Sequence, residues 1–264
     1  MHITITGNLG SGKSTICRLL NEKYHFEVYS TGKVQRELAT QMGMTTLELN
    51  QLMCSDKKYD KMIDDETARI SRENKDKDII FDSRLAWHFV EHSFKVFVSV
   101  GLEVAAERVM NDQRGAVEKY SSLDEAKKLL AERAATECVR YKDIYNLNYM
   151  DFNNYDLIID STNNTPEKIA EIILKEAKAY ELNPTSHTKM LLSPRRLLKP
   201  SEITESDYQS LDSLIKEYEK ITDSIPVTVI VKKAEEDYVV TEGREHAKAA
   251  FLAETPYVPV EVIQ

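Results

Sequence analysis

The chain has 264 residues, 42% of them hydrophobic and 30% charged, a balance typical of a globular protein with room for one sizeable core and a smaller companion. Its 35 Lys and Arg against 44 Asp and Glu leave a net charge of −9, which argues against nucleic acid or an anionic membrane as partner, and no apolar run is long enough to cross a bilayer. Cys17, Cys54 and Cys138 are far apart and lack metal-ligand spacing, so they read as reduced thiols of a cytoplasmic protein.

A β-rich run, HITIT at 2–6, leads straight into GNLGSGKST at 7–15, which fits the pattern G-x-x-x-x-G-K-S. Glycines keep this backbone bare, so that several N–H groups can curl round phosphate oxygens. The amphipathic stretch KSTICRLLNEKY that follows aims a helix N-terminus at the same charge. Gly7, Asn8, Leu9, Gly10, Ser11, Gly12, Lys13, Ser14 and Thr15 are therefore the expected cradle for ATP, with Lys13 reaching the β- and γ-phosphates and the Ser14 hydroxyl available to Mg²⁺. No N-K-x-D element for reading guanine and no second ATPase core follow, which suits a small-molecule kinase.

Strand and helix then alternate. EVYSTGKVQRELA puts Thr31 and Gly32 at a strand-to-helix turn and Arg36 on the next helix, where a planar guanidinium can clamp an acceptor phosphate. YDKMIDDETARISREN has helical spacing. The strand DIIFD at 78–82 closes on Asp82, positioned to hold a Mg²⁺ water shell or the phosphate loop. Arg84 stands two residues further on, at the carboxyl end of the sheet, where open α/β folds bind ligands. After the strand KVFVSV and the helix LEVAAERVMND comes a charged helical insertion, 108–141, carrying Arg108, Arg114, Arg133 and Arg140; the last two are seven residues apart and share one helical face. YDLIID at 155–160 is a strand. TPEKIAEIILKEAKAY is a closing helix, capped by Thr165 with Pro166 at its first position. This alternation predicts an α/β fold, a mostly parallel sheet with helices on both faces.

Taken in order, ITITGNLGSGKSTICRLL, EVYSTGKVQRELATQMGMTTLELN, IDDETARI, IIFDSRLAW and RYKDIYNLNYMDFNNYDLIIDSTNNTPEKIAEII resemble the nucleoside monophosphate kinases, in particular the short, archaeal-type cytidylate kinases, over about residues 1–178. The resemblance implies a P-loop nucleotide-kinase fold with a five-stranded parallel core and a helical lid, ATP and Mg²⁺ as cofactors, and a nucleoside monophosphate, CMP or dCMP, as substrate. It implies that Thr31, Gly32, Arg36, Asp82 and Arg84 surround the acceptor, that Lys13, Arg84, Arg133 and Arg140 stabilise the phosphoryl group in flight, and that Ser14 and Asp82 manage the metal. Two departures, Lys33 in the acceptor segment and FDSRLAW in place of the more usual EGRLAG, bear on base and sugar preference. A kinase for another small molecule and a non-enzymatic nucleotide sensor are the competing readings.

After Tyr180 the texture changes. Residues 181–189 read as a linker, and 190–264 as a small α+β domain with nine basic and fourteen acidic residues. Its PVTVIVK, DYVVTEGREHAKAAFLAE and YVPVEVI resemble the ParB/sulfiredoxin-like superfamily, whose corresponding turn binds phosphates. Here Gly243 permits the turn, but His246 stands where arginine is usual, and Glu242 and Glu245 lie beside it. A nucleotide-binding regulatory domain, a second catalytic unit and an interaction module without a working site compete, the last being favoured. A protein partner or regulatory ligand is expected there. Residues 1–180 are expected to fold and work by themselves.

Overall fold

The computed structural model describes residues 1–44, 48–49, 52–53, 56–111, 120–184, 187–220, 226–227, 229–234 and 237–263. The chain runs β1 (His2–Gly7), α1 (Lys13–Tyr24), β2 (Glu27–Ser30), α2 (Thr31–Gln41), α3 (Lys58–Glu73), β3 (Ile79–Asp82), α4 (Ala86–Phe89), β4 (Ser93–Ser99), α5 (Leu102–Asn111), α6 (Leu123–Tyr145), β5 (Leu157–Asp160) and α7 (Pro166–Leu182). It continues through β6 (Lys189–Leu192), α8 (Pro194–Leu197), α9 (Glu205–Ser210), α10 (Asp212–Lys220), β7 (Val229–Ala234), β8 (Asp237–Glu242), α11 (Arg244–Leu252) and β9 (Val258–Ile263).

One sheet carries all the strands, in the order β2-β3-β1-β4-β5-β6-β9-β7-β8. The first five are parallel, as the strand–helix alternation requires. Side-chain alternation then divides the core. Ile3 and Ile5 of β1, Val96 and Val98 of β4 and Leu157 and Ile159 of β5 meet Ile16, Leu19 and Leu20 of α1 and Ile169 and Ile173 of α7. Phe97 and Ile158 point the other way, toward Leu85, Tyr141, Tyr149 and Tyr155. The ends of α7 and α6 follow from local chemistry: Thr165 accepts the Lys168 N–H with Pro166 at the first helical position, and Ser122 accepts the Glu125 N–H. Among the described residues no helix is long and apolar enough to cross a membrane.

The sheet does not stop where the sequence changes texture. β6 pairs in parallel with β5, Leu157 opposite Lys189, and β9 pairs antiparallel with β6, Leu192 opposite Val258. Leu192, Leu197, Leu198, Tyr218, Val229, Ala249 and Val258 sit in the same apolar cluster as Phe97, Tyr149, Tyr155 and Ile158. KMLL at 189–192 is too short and too close to a proline to announce itself as a strand; it gains its partners in the fold, β5 on one edge and β9 on the other. The segment 190–264 is thus built onto the first 180 residues through both backbone ladder and core.

Ending the chain at Tyr180 would strip the edge of β5 and uncover Ile158 and Tyr155. Each lost apolar side chain is worth about 1.5–3 kcal/mol, so the shortened chain should melt about 10 °C or more below the full one. Scanning calorimetry on both decides it, and a Tm unchanged within about 2 °C would mean that the shared cluster contributes little.

Candidate functional site

The carboxyl ends of β1, β3, β4 and β5 converge on the loop Gly7–Gly12. Gly7 adopts φ 153°, and a Cβ built there would lie 2.2 Å from the Val98 carbonyl oxygen of β4, so no other residue fits. At Gly10, φ 73°, a Cβ would fall 2.7 Å from the Ala105 carbonyl oxygen of α5. Asn8 ties the loop to β4: its N–H donates to Val98 O at 3.1 Å and its side-chain oxygen accepts from Val100 N at 3.2 Å. Leu9 packs on the cluster of Val100, Ala105 and Ala106, and Ser11 is buried. Gly12 is the left-handed N-cap of α1, with no side-chain cap and no acidic residue in the first turn. Ser14 is exposed and Thr15 half-buried on that turn. A helix start without its own carboxylate, facing a bare loop, is a ready anion site.

Two cations meet on one oxygen. Lys13 Nζ donates to the carbonyls of Gly7 at 3.2 Å and Asn8 at 2.9 Å, and to Ser11 Oγ at 3.4 Å. Arg84 NH1 donates to the same Gly7 carbonyl at 2.5 Å. Burial, and then the Arg84 charge, push the Lys13 ammonium down to about 7, against Asp82 and Glu137, which favour its charged form. Asp82 ends β3 and accepts from Ser30 Oγ at 3.2 Å, while Thr31 Oγ1 donates to its main-chain oxygen at 3.4 Å. Gly32 lies in the first turn of α2 beside them. The Arg36 side chain lies outside those described; its backbone is in α2.

Behind Arg84 stands a residue the sequence reading missed. Glu137 of α6 accepts from Arg84 Nε at 2.9 Å, from Arg133 Nε at 3.3 Å and from the Tyr149 hydroxyl at 3.3 Å. Burial pushes Glu137 toward protonation, but Arg84, Arg133 and Arg140 outweigh it and hold its carboxyl below the usual range. Arg84 also lies over the Tyr149 ring at 5.6 Å. Arg133 and Arg140, seven residues apart on α6, both stand near Glu137. Arg140 reaches Asp60 of α3 at 3.5 Å and the Tyr141 hydroxyl at 3.1 Å. Arg108 stands apart from them on α5 and bonds to the turn after β5 instead; Arg114 lies outside the described residues.

Asp60 and Asp64 were also missed. They lie one turn apart on the buried stripe of α3 with Ile63 and Thr67, where two carboxylates in an apolar register were the available signal. Burial raises Asp60, and it raises Asp64 to about 7, Asp60 adding to this while the 2.6 Å bond from the Tyr145 hydroxyl opposes it. Asp60 Oδ2 and Arg140 Nε are both buried without a hydrogen-bond partner among the described residues.

In the C-terminal turn, Gly243 takes φ 72° at the N-cap of α11. The neighbouring cations are engaged: Arg244 by Glu202, and Lys248 by Asp207 at 2.8 and 2.9 Å. His246 Nδ1 lies 3.1 Å from the Tyr218 hydroxyl, and Glu242 and Glu245 are exposed. Lys33 is likewise exposed, 3.9 Å from Glu37. Cys17 is buried and Cys138 half-buried, both as free thiols; Cys54 lies outside the described residues.

Comparison with known proteins matches residues 2–163 to the cytidylate kinase-like family. The cytidylate kinase of Methanobrevibacter smithii is 34% identical over 178 residues, 67% of this chain and 99% of that protein. That of Methanococcoides burtonii is 36% identical over 162 residues, 61% of this chain and 88% of that protein. A crystal structure of an uncharacterized protein from Eubacterium ventriosum covers 68% of this chain and 99% of its own at 17% identity with a TM-score of 0.50, a likeness of fold alone.

The Lys13 shift makes stability depend on pH with a definite sign. Between pH 7 and the ordinary lysine value of 10.5 the unfolded chain holds a proton that folded Lys13 has lost, so raising the pH favours folding; below pH 7 both states are protonated and the cost is constant. Lys13→Met removes this titration. The unfolding free energy of the wild-type chain minus that of the variant should rise above pH 7 by at most about 1.4 kcal/mol per pH unit, as urea titrations at several pH values would measure. A flat difference up to about pH 10 would show that the ammonium keeps its proton.

Proposed function

We propose that this chain, a nucleoside monophosphate kinase that belongs to the cytidylate kinase-like family, transfers the γ-phosphoryl group of ATP to CMP or dCMP. The observation that carries the reading is the Gly7 carbonyl oxygen accepting from both Lys13 and Arg84. Two like charges held on one oxygen, the ammonium pushed down by burial and then by that proximity, form a site that gains most when a phosphate arrives between them.

In this reading the bare loop Gly7–Gly12 and the first turn of α1 hold the ATP phosphates, and Lys13 lies along the β–γ bridge. Arg84, with Thr31, Gly32 and Arg36 around it, holds the acceptor phosphate. An oxygen of that phosphate forms the new bond to the γ-phosphorus as the bond to the ADP oxygen breaks. The acceptor oxygen is already anionic at neutral pH, so no general base is required. Arg133 and Arg140 approach from α6 and neutralise the charge spread over the transferring group. The Ser14 hydroxyl, exposed on the first turn of α1, and the Asp82 carboxylate at the end of β3 are hard oxygen donors and suit Mg²⁺, which would leave most of its coordination to water and phosphate. When bound, that ion neutralises charge on the β- and γ-oxygens. ATP and nucleoside monophosphates are cytoplasmic metabolites, in keeping with reduced thiols.

Cytosine is favoured by Asp60. Its buried, unpartnered Oδ2 is an acceptor in need of a donor, and the exocyclic amine of cytosine supplies one where uracil carries a carbonyl.

Steady-state assays with each common nucleoside monophosphate should give the highest kcat/KM for CMP or dCMP, and turnover of none above background ATP hydrolysis would sink the reading. Arg84→Ala should cost about ten- to a hundredfold in kcat/KM for the acceptor, the worth of a charged hydrogen bond. Asp60→Asn presents a donor as well as an acceptor, so the ratio of kcat/KM for CMP over UMP should fall by about tenfold or more; an unchanged ratio would remove Asp60 from base recognition.

A further inference from the structure

The turn that follows β5, residues 160–164, is gripped from both sides. On one side Arg108 of α5 donates to Ser161 O at 2.6 Å and Ser161 Oγ at 3.2 Å, and its NH1 lies 3.5 Å from the carbonyl of Gly10 in the phosphate loop. One guanidinium therefore spans the turn and the loop. Thr162 Oγ1 accepts from Gly101 N at 3.0 Å, which fixes the turn to the end of β4 as well. The turn is thus part of the rim of the phosphate cradle.

On the other side is the C-terminal segment. Asp160, fully buried, forms an ion pair with Arg196 of α8 at 2.8 Å; the Arg196 side chain is 5% exposed. The same Asp160 oxygen accepts from Thr162 N at 3.1 Å and Thr162 Oγ1 at 2.6 Å, and its partner oxygen accepts from Ser193 N at 3.3 Å. Arg196 also donates to Ser99 Oγ at 3.3 Å and to Asp237 of β8 at 2.9 Å, with its plane over the Tyr238 ring at 5.2 Å. Two further latches close the contact. Tyr257 donates to Asp160 O at 2.7 Å, and Asn164 donates to Pro256 O at 2.9 Å.

We infer that Arg196 is a positioning residue for the ATP side of the site: the C-terminal segment, through Arg196 and Asp160, sets the conformation of the turn 160–164 and with it the rim on which ATP sits. A carboxylate fully removed from water at the end of a strand is costly unless a cation meets it, and here the cation comes from outside the part of the chain matched by the family. Thr162 holds Asp160 from within the turn, and Ser193 and Arg196 hold the same carboxylate from the C-terminal segment. The segment 190–264 therefore serves the kinase site from behind, and anything that shifts β8 or α8 acts on ATP rather than on the acceptor. The inference rests on the reading of the loop Gly7–Ser14 as the ATP cradle.

The test uses the full chain and compares KM for ATP with KM for CMP. Arg196→Met should raise KM for ATP by about tenfold or more and leave KM for CMP within about twofold, with Arg196→Lys in between. If Arg196→Met does not fold, Arg196→Lys and Asp237→Asn decide the matter. Asp237 is exposed and pairs with Arg196, and its loss should raise KM for ATP about two- to threefold. Variants that lower Tm and the active fraction while leaving both KM values unchanged would reduce Arg196 to a structural role and overturn the inference. So would equal rises in both. A wild-type chain that binds no ATP in equilibrium titration would overturn the ATP reading itself, a result distinct from either.

Discussion

The Gly7 carbonyl oxygen is where the rest of the structure comes together. It accepts from Lys13 and Arg84, two cations that would repel each other anywhere without an anion between or behind them. Glu137 supplies the anion behind, half-buried and still ionised because three arginines surround it. The geometry around that oxygen explains why Gly7 has no side chain, why β4 approaches so closely, and why α6 must run back across the sheet to bring Glu137 into place.

In the proposed site, the half-buried Glu137 carboxylate that pairs with Arg84 and Arg133 takes the electrostatic position of a phosphate. Such an internal counter-ion holds flexible guanidinium groups in register before substrate arrives, so less ordering entropy is lost when the substrate binds. The second acidic pair, Asp60 and Asp64, plays a different part. Asp64 has a hydroxyl donor in Tyr145, whereas Asp60 keeps one oxygen unpartnered among the described residues, which is the basis for giving it a ligand in the proposed function.

The C-terminal segment extends the same logic to the far side of the cradle. The parallel sheet would end at β5, with a buried aspartate at its carboxyl end and an unpaired edge. β6 covers the edge and Arg196 neutralises the aspartate. At the segment's own glycine turn the cations are already held by Glu202 and Asp207, so its chemistry is directed at the neighbouring turn rather than at an anion of its own.

Much of this protein was legible in order along the chain. The strand–glycine-loop–helix at 2–24, the cap at Thr165 and Pro166 and the parallel alternation all depend on local backbone chemistry or helical spacing, and a sequence carries both. What it could not carry was long-range charge pairing. Glu137 reads as one more acid on a charged helix, Asp60 and Asp64 as two of several acids in an amphipathic one, and Arg196 as a surface residue near a proline. Each gains its meaning from a partner that lies 53, 80 or 36 positions away. The continuity of the sheet was hidden for the same reason. KMLL becomes a strand by pairing with β5, and a change in composition after Tyr180 marks only where the chain turns back. Local conformation was therefore fixed by the sequence itself, while the ionisation of buried groups and the joining of the two halves were decided by tertiary packing, because both depend on which groups are brought out of water together.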